Sequence, residues 1–308
     1  MKNIFLSLLF LSFTLHAQDY VDIIKIGYGQ TFNNNFEKSP HHTSIKSFDV
    51  DLTYPIVLSE QNALITGFSF SQNTLQLFPE SNFTSLYSST LKIGLASTLD
   101  DRWSTTVVLL PKIASDYQNN TKDDFYIGGF AVLKYKKKEN LIYRFGIYSS
   151  SEAFGFYTTP IIGWYYLSPD QRFEMDMSLP ISGEINYNVG VATIGFDYFG
   201  IGRSFRLYEN DDESNSYVDL SSLEFSSYVQ LNTLEDSVLF RAKFGYSSND
   251  YEVYEDDDTI DFGLTAFTFG DDRSQLNPNL KGGLFVKFEA IYRFQIKKGN
   301  TEIEKTKG

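Results

Sequence analysis

Residues 284–294 read LFVKFEAIYRF, and their side chains alternate in character. Every second residue is apolar, whereas the intervening positions include Lys287, Glu289 and Arg293. A period of two is that of a β-strand, because successive side chains of a strand point to opposite faces. One face of this strand suits an apolar environment, and the other suits water or ion pairing. A soluble sheet and a membrane barrel could both use such a strand.

Similar alternation recurs from Tyr20 to the end, without a helical period in between. It predicts fourteen strands, near residues 20–32, 46–57, 62–73, 84–98, 103–114, 124–136, 140–150, 158–167, 172–179, 182–189, 191–206, 217–231, 237–248 and 283–294. The ninth and tenth are separated only by Pro180 and Ile181. If these two are not separate barrel strands, the count is twelve.

The predicted connections alternate in length along the chain. The short ones are SEQN, DDR, KKEN, PDQ, NVG and TLED, which are rich in turn-forming and charged residues. Between them come NNNFEKSPHHTS, PESNF, YQNNTKDD, SEAFGFYTT, YENDDESNS and the segment 249–282. Transmembrane barrels have this asymmetry, with short periplasmic turns and long outer loops. We therefore predict an all-β chain that forms a transmembrane up-and-down antiparallel β-barrel over residues 18–294.

The two ends of the chain differ from this central region. Lys2 precedes an apolar run, and Ala17 suits a signal-peptidase cut before Gln18, so residues 1–17 are predicted to be a cleaved signal peptide. Residues 295–308 are polar and lack a strand period, and we predict a tail. Export and a barrel together predict the outer membrane of a Gram-negative bacterium. The chain has no cysteine for a disulfide or a lipid anchor.

The overall charge excludes one class of partner. Of 26 basic side chains one is Lys2, so the mature chain has 25 basic against 39 acidic side chains, a net charge of −14. Nucleic acid is excluded as a partner, because phosphates require positive charge. Aromatic residues make up 17% of the chain, which suits the girdles at the two membrane interfaces. An aromatic-rich soluble β core is the alternative.

The segment 269–294, FGDDRSQLNPNLKGGLFVKFEAIYRF, resembles an uncharacterised family of bacterial outer-membrane β-barrels that is known as a domain of unknown function. The likeness lies in the GDDR of residues 270–273, in Leu276, in the glycines at 282–283 and in the closing YRF. Leu179 and Pro180 also resemble a feature of small outer-membrane transport barrels. The resemblance implies a fold and a location, and it implies no activity.

Residues for catalysis or for metal binding are scarce. His41 and His42 are adjacent in the first long loop, which suits neither a hydrolase site nor a metal site. The acidic runs 209–214 and 255–258 lack the spacing of a calcium-binding EF-hand. We interpret them as solvated acidic loops that repel neighbouring molecules or contact lipopolysaccharide through bridging divalent cations, with Ca²⁺ coordination as the alternative. We predict no enzyme activity, no cofactor and no metal.

The polar face of each strand is predicted to line the lumen. Its candidate residues are Asp49, Asp51, Lys134, Arg144, Glu174, Asp176, Arg241, Lys243, Lys287, Glu289 and Arg293, and a wider set adds Lys25, Lys92, Lys112, Arg172, Glu184, Asp197 and Glu224. Together these are 10 basic and 8 acidic residues, so we predict weak ion selectivity. Ion pairs between neighbouring arcs of the wall are expected, and simple hydration of each charge is the alternative.

Fourteen strands lie between the eight of a filled barrel and the sixteen to eighteen of an open porin. We therefore predict a narrow passive channel for small polar solutes. The alternatives are a non-conducting envelope scaffold or a surface binding module, and, less favoured, an outer-membrane hydrolase. Expected partners are membrane lipid, lipopolysaccharide and the solutes, and the oligomeric state is left open. The stretch DTIDFGLTAFTF in 249–282 predicts a hairpin or strand extension over the barrel mouth or inside it, with a mobile loop as the alternative.

Overall fold

The computed structural model describes residues 20–119, 121–208 and 215–295. Apart from Gln295, the predicted signal peptide and tail lie outside these residues. The long strands, numbered β1 to β14, are Tyr20–Phe32, Lys46–Val57, Asn62–Leu75, Thr84–Thr98, Trp103–Ser115, Phe125–Lys138, Leu141–Glu152, Gly155–Leu167, Phe173–Leu179, Ser182–Asn188, Ala192–Tyr208, Asn215–Thr233, Val238–Glu255 and Gly283–Gln295. Shorter elements are the strands Asn34–Asn35, His42–Thr43, Phe262–Leu264 and Phe267–Phe269 and the 3-10 turn Lys122–Asp124. Within the described ranges, no helix has the length and apolar character needed to cross a membrane.

The fourteen long strands form one closed ring. Each strand pairs antiparallel with the next in sequence, and β14 pairs with β1 through partners such as Tyr28 and Phe288. The short β9 is included, because Ile162 of β8 is the partner of Leu179 of β9. Closure leaves no free edge along the paired part of the wall. The predicted all-β, up-and-down antiparallel barrel is confirmed, with fourteen strands and not twelve.

The outside of the barrel is apolar. In the second half of β4 exposed aliphatic residues alternate with others, with Leu91, Ile93 and Leu95 between 44% and 52% exposed. The same alternation places Phe240 and Phe244 on the outside of β13. A continuous exposed surface of this kind is unfavourable in water and suits hydrocarbon. The outer wall therefore has the character of a lipid-facing surface.

The strands differ greatly in length. β9 and β10 have 7 residues each, whereas β11, β12 and β13 have 17, 19 and 18. The predicted end of β13 at residue 248 is wrong, because pairing with β12 continues to Glu255, so the last loop is 256–282. The predicted loop SEAFGFYTT is also wrong. There the ladder of β7 and β8 extends to the pair Glu152 and Gly155, which leaves a turn of two residues.

The hairpin predicted in the last loop is present, but it does not cross the mouth of the barrel. Its strand Phe262–Leu264 runs parallel to β8, with Gly263 opposite Tyr157 and Leu264 opposite Thr158. This part of the β8 edge is free because β9 pairs with β8 only from Ile162 onwards. The hairpin therefore fills the notch in the wall above the short strands β9 and β10.

The outer end of β11 separates from β10 and bends across the interior, while it stays paired with β12 as far as Tyr208. Beyond Phe199 it no longer pairs with β10, and Arg206 instead forms a parallel bridge with Ser115 at the end of β5. The N–H of Asp116 donates to the carbonyl of Arg206 at 2.9 Å. The N–H of Ala153 donates to Oγ of Ser204 at 2.7 Å. Since β5 and β11 are six strands apart in the ring, this end of β11 spans the outer mouth.

A hydrophobic cluster packs around the crossing segment. We call this set the mouth core: Phe36, Ile45, Leu75, Leu77, Leu86, Ala114, Tyr126, Phe205, Leu207, Val218, Leu220, Tyr251, Val253 and Leu280. Its members come from the outer ends of strands and from the long loops. Phe205 and Val218 have no exposed surface. The mouth core therefore closes the outer end of the barrel with apolar packing, which is stabilised by its removal from water.

Candidate functional site

Inside the barrel lies a cavity of about 950 Å³. Its charged lining residues are nine basic and nine acidic ones, namely Lys25, Lys92, Lys112, Arg144, Arg203, Arg241, Lys243, Lys287, Arg293, Asp22, Asp49, Asp51, Glu174, Asp176, Glu184, Asp197, Glu224 and Glu289. The rest of the lining includes many serine, threonine and tyrosine residues. The cavity is therefore polar and balanced in charge, although the whole chain is acidic.

Most of the residues that the sequence suggested for the lumen lie at this cavity. Of the eleven candidates ten line it, and Lys134 is not among its lining residues. From the wider set, Arg172 lies in the turn before β9 and away from the cavity. Sequence reasoning missed Asp22, because the register of β1 shifts between Asp22 and Ile24 and breaks the alternation. It also missed Arg203, which simple alternation from Asp197 would have placed on the same face.

The charged residues that line the cavity form ion pairs with one another along the inner face of the barrel. The pairs are Lys25–Glu289 at 3.2 Å, Lys92–Asp51 at 2.6 Å, Lys243–Asp197 at 2.5 Å, Arg241–Glu184 at 2.9 Å, Lys287–Asp49 at 2.8 Å, Arg293–Asp22 at 2.6 Å and Arg144–Asp176. Most join strands that are two or three apart in the ring. Pairing compensates charges that are partly withdrawn from water. It also leaves little net field along the lumen.

A dense polar cluster surrounds Arg241. Its guanidinium donates to Glu184 at 2.9 Å and to Gln230 at 2.8 and 3.0 Å. It also lies 4.0 Å from the centre of the Tyr228 ring, and the Tyr228 hydroxyl donates to Glu184. The Tyr228 ring occupies the space that the missing side chain of Gly195 leaves free. This cluster holds β10, β12 and β13 together from the inside.

A second buried pair anchors the crossing end of β11. Lys112 on β5 contacts Glu152 on β7 at 2.5 Å. The other carboxylate oxygen of Glu152 accepts hydrogen bonds from the N–H and the hydroxyl of Ser204, both at 2.8 Å. Because Glu152 binds both Lys112 and Ser204, it joins the wall to the segment that closes the mouth.

Arg273 of the GDDR segment links the last loop to the outer end of β12 by hydrogen bonds. It donates to Asp271 at 2.9 and 3.1 Å, to Asp219 at 3.0 Å and to the hydroxyl of Tyr217 at 3.1 Å. Its guanidinium also lies 4.1 Å from the centre of the Tyr254 ring. Hydrogen bonding from Arg273 lowers the pKa of Asp271 below its ordinary value of 3.8. The last loop is thus tied to the outer ends of β12 and β13.

His41 and His42, the histidines among the described residues, do not form a catalytic arrangement. Nε2 of His41 lies 3.2 Å from the Glu80 carboxylate at the exposed outer surface, and His42 belongs to the two-residue ladder with Asn35. Among the residues that the structure describes, no group of three or more His, Cys, Asp or Glu side chains could hold a metal. The acidic run 209–214 lies outside the described residues. In the other run, Asp256 is paired with Arg206.

A sequence-family model described as a domain of unknown function, DUF6268, matches residues 13–199, which is more than half of the chain. The chain belongs to the DUF6268 family. The matched part includes Leu179 and Pro180, but it ends before the segment 269–294, which carries the resemblance described above. Comparison with curated proteins gave no match.

Several solved structures are similar to this DUF6268 protein at low sequence identity and low TM-score. A bacterial polysaccharide outer membrane secretin is 10% identical with a TM-score of 0.34, covering 89% of this chain and 99% of that chain. The NanC porin is 8% identical with a TM-score of 0.35, covering 87% and 98%. A TodX monoaromatic hydrocarbon channel mutant is 11% identical with a TM-score of 0.37, covering 90% and 91%. At these TM-scores the likeness carries no argument about function.

Proposed function

We propose that this DUF6268 protein is an outer-membrane barrel of a Gram-negative bacterium through which small polar solutes of low net charge pass without energy input. The observation that carries the proposal is the charge-balanced polar cavity of about 950 Å³ inside the barrel. A barrel that served only as a scaffold could fill its interior with side chains, as eight-stranded barrels do. The apolar outer wall supports a location in lipid, with lipopolysaccharide around the outer loops.

Passage requires the mouth core to open. The crossing end of β11 bears Phe205 and Leu207, which are buried in that core. Movement of this segment towards the wall, together with the end of β12 with which it pairs, would connect the cavity to the outside without breaking the ring of strands. The gate in this proposal is therefore the outer end of β11, held shut by packing and by the hydrogen bonds between Ser204 and Glu152.

A second candidate is a barrel that does not conduct and acts as a scaffold or a surface binding module. The mouth core favours it, because Phe205 and Val218 are wholly buried and an opening would expose them to water. Conductance separates the two candidates.

The absence of cysteine allows a direct test. Ser115 and Arg206 are bridge partners, so Ser115→Cys with Arg206→Cys should form a disulfide that locks β11 over the mouth. We expect single-channel conductance in planar bilayers for the wild type and for the reduced double variant, and its loss after oxidation. Liposome swelling in serine, an uncharged polyol and a divalent salt then measures which solutes pass.

The two single-cysteine variants are the controls, and both should conduct under oxidising and reducing conditions. Equal conductance of the oxidised and reduced double variant would show that β11 is not the gate. If neither the wild type nor a variant with a weakened core, Phe205→Ala, passes ions or solutes, the channel proposal is wrong and the non-conducting barrel is the better account.

A further inference from the structure

Two charges that line the cavity lack the compensation that the others have. Eight of the nine lining cations are within ion-pair distance of a carboxylate, and Arg203 is the exception. Seven of the nine lining carboxylates are paired in the same way. Of the other two, Glu174 accepts hydrogen bonds from Tyr20 and Asn186, whereas Glu224 has neither an ion pair nor a side-chain hydrogen bond within the described part of the chain.

Arg203 reaches into the cavity from the crossing part of β11. Its Nη1 donates to Oγ of Ser71 on β3 at 2.9 Å, and its guanidinium lies 5.9 Å from the centre of the Phe205 ring. Ser71 is neutral, so the positive charge keeps no acidic partner among residues 20–119, 121–208 and 215–295. The guanidinium is thus held in place by a hydroxyl and a ring, with its charge uncompensated.

Glu224 faces the same cavity from β12. An unpaired carboxylate in a partly enclosed space is unfavourable unless water or a ligand compensates it. Two other carboxylates of the lining form ion pairs with lysines: Asp49 with Lys287 at 2.8 Å and Asp197 with Lys243 at 2.5 Å. Lys287 acts electrostatically on Glu224, but the ion pair of Lys287 is with Asp49, so Glu224 has no cation at ion-pair distance within the described residues.

The register of β11 and β12 sets the distance between Arg203 and Glu224, which decides whether one ligand can bind both. Arg203 is opposite Leu220, and Glu224 follows Leu220 by four residues along β12. The two backbones are therefore roughly 13 Å apart along the strand direction. Both residues line the cavity, and both charges act electrostatically on the Tyr251 hydroxyl. Arginine and glutamate side chains are long enough to converge on one solute from this backbone separation. One ligand can therefore reach both.

We propose that the cavity binds a small zwitterionic solute, with its carboxylate on Arg203 and its ammonium group on Glu224. The inference rests on the proposed function, since it names the solute class that would use the channel. A solute with a single charge would satisfy one residue and leave the other uncompensated. A dipeptide carries its two charges about two residue lengths apart, roughly 7 Å, which an arginine and a glutamate side chain can bracket when they converge from backbones roughly 13 Å apart.

Binding is tested by isothermal titration of the detergent-solubilised full-length protein at pH 7 with three probes of matched length. Glycylglycine carries both charges, N-acetylglycylglycine carries only the carboxylate, and glycylglycinamide carries only the ammonium group. We expect the wild type to bind glycylglycine at least tenfold more tightly than either analogue. Arg203→Gln should remove the advantage over glycylglycinamide, and Glu224→Gln the advantage over N-acetylglycylglycine.

Two variants control for net charge. Lys46→Gln removes a cation that does not line the cavity, and Asp250→Asn removes an acid that does not line it, so both should keep the tenfold preference. Equal wild-type affinity for glycylglycine and N-acetylglycylglycine, or no binding of any probe, would overturn the inference. Titration does not need an open pore. Preferential binding without conductance therefore rejects only the channel, and conductance without preference rejects only the zwitterion site.

Discussion

The phenol of Tyr20 on β1 donates a 2.9 Å hydrogen bond to Oε1 of Glu174 on β9, and so joins two nearly opposite strands of the ring at its inner end. The Arg293 guanidinium lies 3.5 Å from the centre of the Tyr20 ring, and Asn186 donates to Oε2 of Glu174 at 3.2 Å. A polar bridge thus crosses the lumen at the end where the tight turns lie. The cavity is narrowed here by hydrogen bonds and at the outer end by apolar packing.

Tyr20→Phe should weaken this inner bridge. The substitution removes one hydrogen bond to a charged acceptor, worth about 1.5–3 kcal/mol, and keeps the ring beneath Arg293. We expect the Tyr20→Phe variant to have a severalfold higher conductance than the wild type in planar bilayers. Tyr54→Phe, at an exposed position on the outer face, should leave it unchanged. No increase for Tyr20→Phe would mean that the bridge does not limit passage.

The closed ring predicts heat-modifiable migration. All fourteen strands are paired on both sides over at least part of their length, so the barrel should resist detergent at room temperature and run at a different apparent size after boiling. Deleting residues 283–295, which removes β14, should abolish the difference on a gel. A mature protein that is soluble without detergent would contradict the membrane barrel.

The mouth core, and not the hairpin of the last loop, is expected to close the outer end. Phe205→Ala should cost about 3–5 kcal/mol of core packing and raise conductance. Deleting residues 261–270 removes the hairpin but keeps the core residues Val253 and Leu280, so the mouth should stay closed. Liposome swelling and conductance check both variants. The opposite pattern, with opening only after the deletion, would make the hairpin the plug.

Ion selectivity should be weak in the wild type and should change with the lining charge. Asp49→Asn with Asp51→Asn frees Lys287 and Lys92, and changes the lining from nine cations and nine acids to nine and seven. We expect the reversal potential in a salt gradient to shift towards anion selectivity. Asp101→Asn, at an exposed turn position, is the control. A wild-type pore strongly selective for either sign would contradict this account of the wall.

Acid should loosen the last loop. The pKa of Asp271 is lowered in the folded protein, so its contribution is complete above the ordinary value of 3.8 and is lost as the pH falls through the lower folded value. Hydrogen exchange in 256–282, corrected for intrinsic rates, should therefore increase as the pH falls below about 4. In Asp271→Asn the exchange should be raised already at pH 7, and the acid-dependent increase should be smaller. Asp257→Asn should behave like the wild type.

The local sequence pattern was sufficient to predict the strands and their order. Alternation with a period of two depends only on residues close in sequence, and tight turns such as NVG and TLED depend on their own turn-forming residues. Fourteen strands, the side of the long loops and most of the lining charges could therefore be predicted. Asp22 was missed where a register shift breaks the alternation that the prediction relied on.

The closure of the mouth, the ion-pair partners and the free charges depended on tertiary structure. The stretch after residue 248 reads as a polar loop, yet Tyr251 and Val253 are buried because β12 pairs with it and Leu220 packs against it. The departure of β11 from the wall likewise depends on contacts of Ser204 and Arg206 with Glu152 and Ser115. Alternation tells which side chains face inwards. Which inward charge finds a partner depends on the ring closure and stagger of strands far apart in sequence. Among the described residues that line the cavity, Arg203 has no carboxylate and Glu224 no basic group at ion-pair distance.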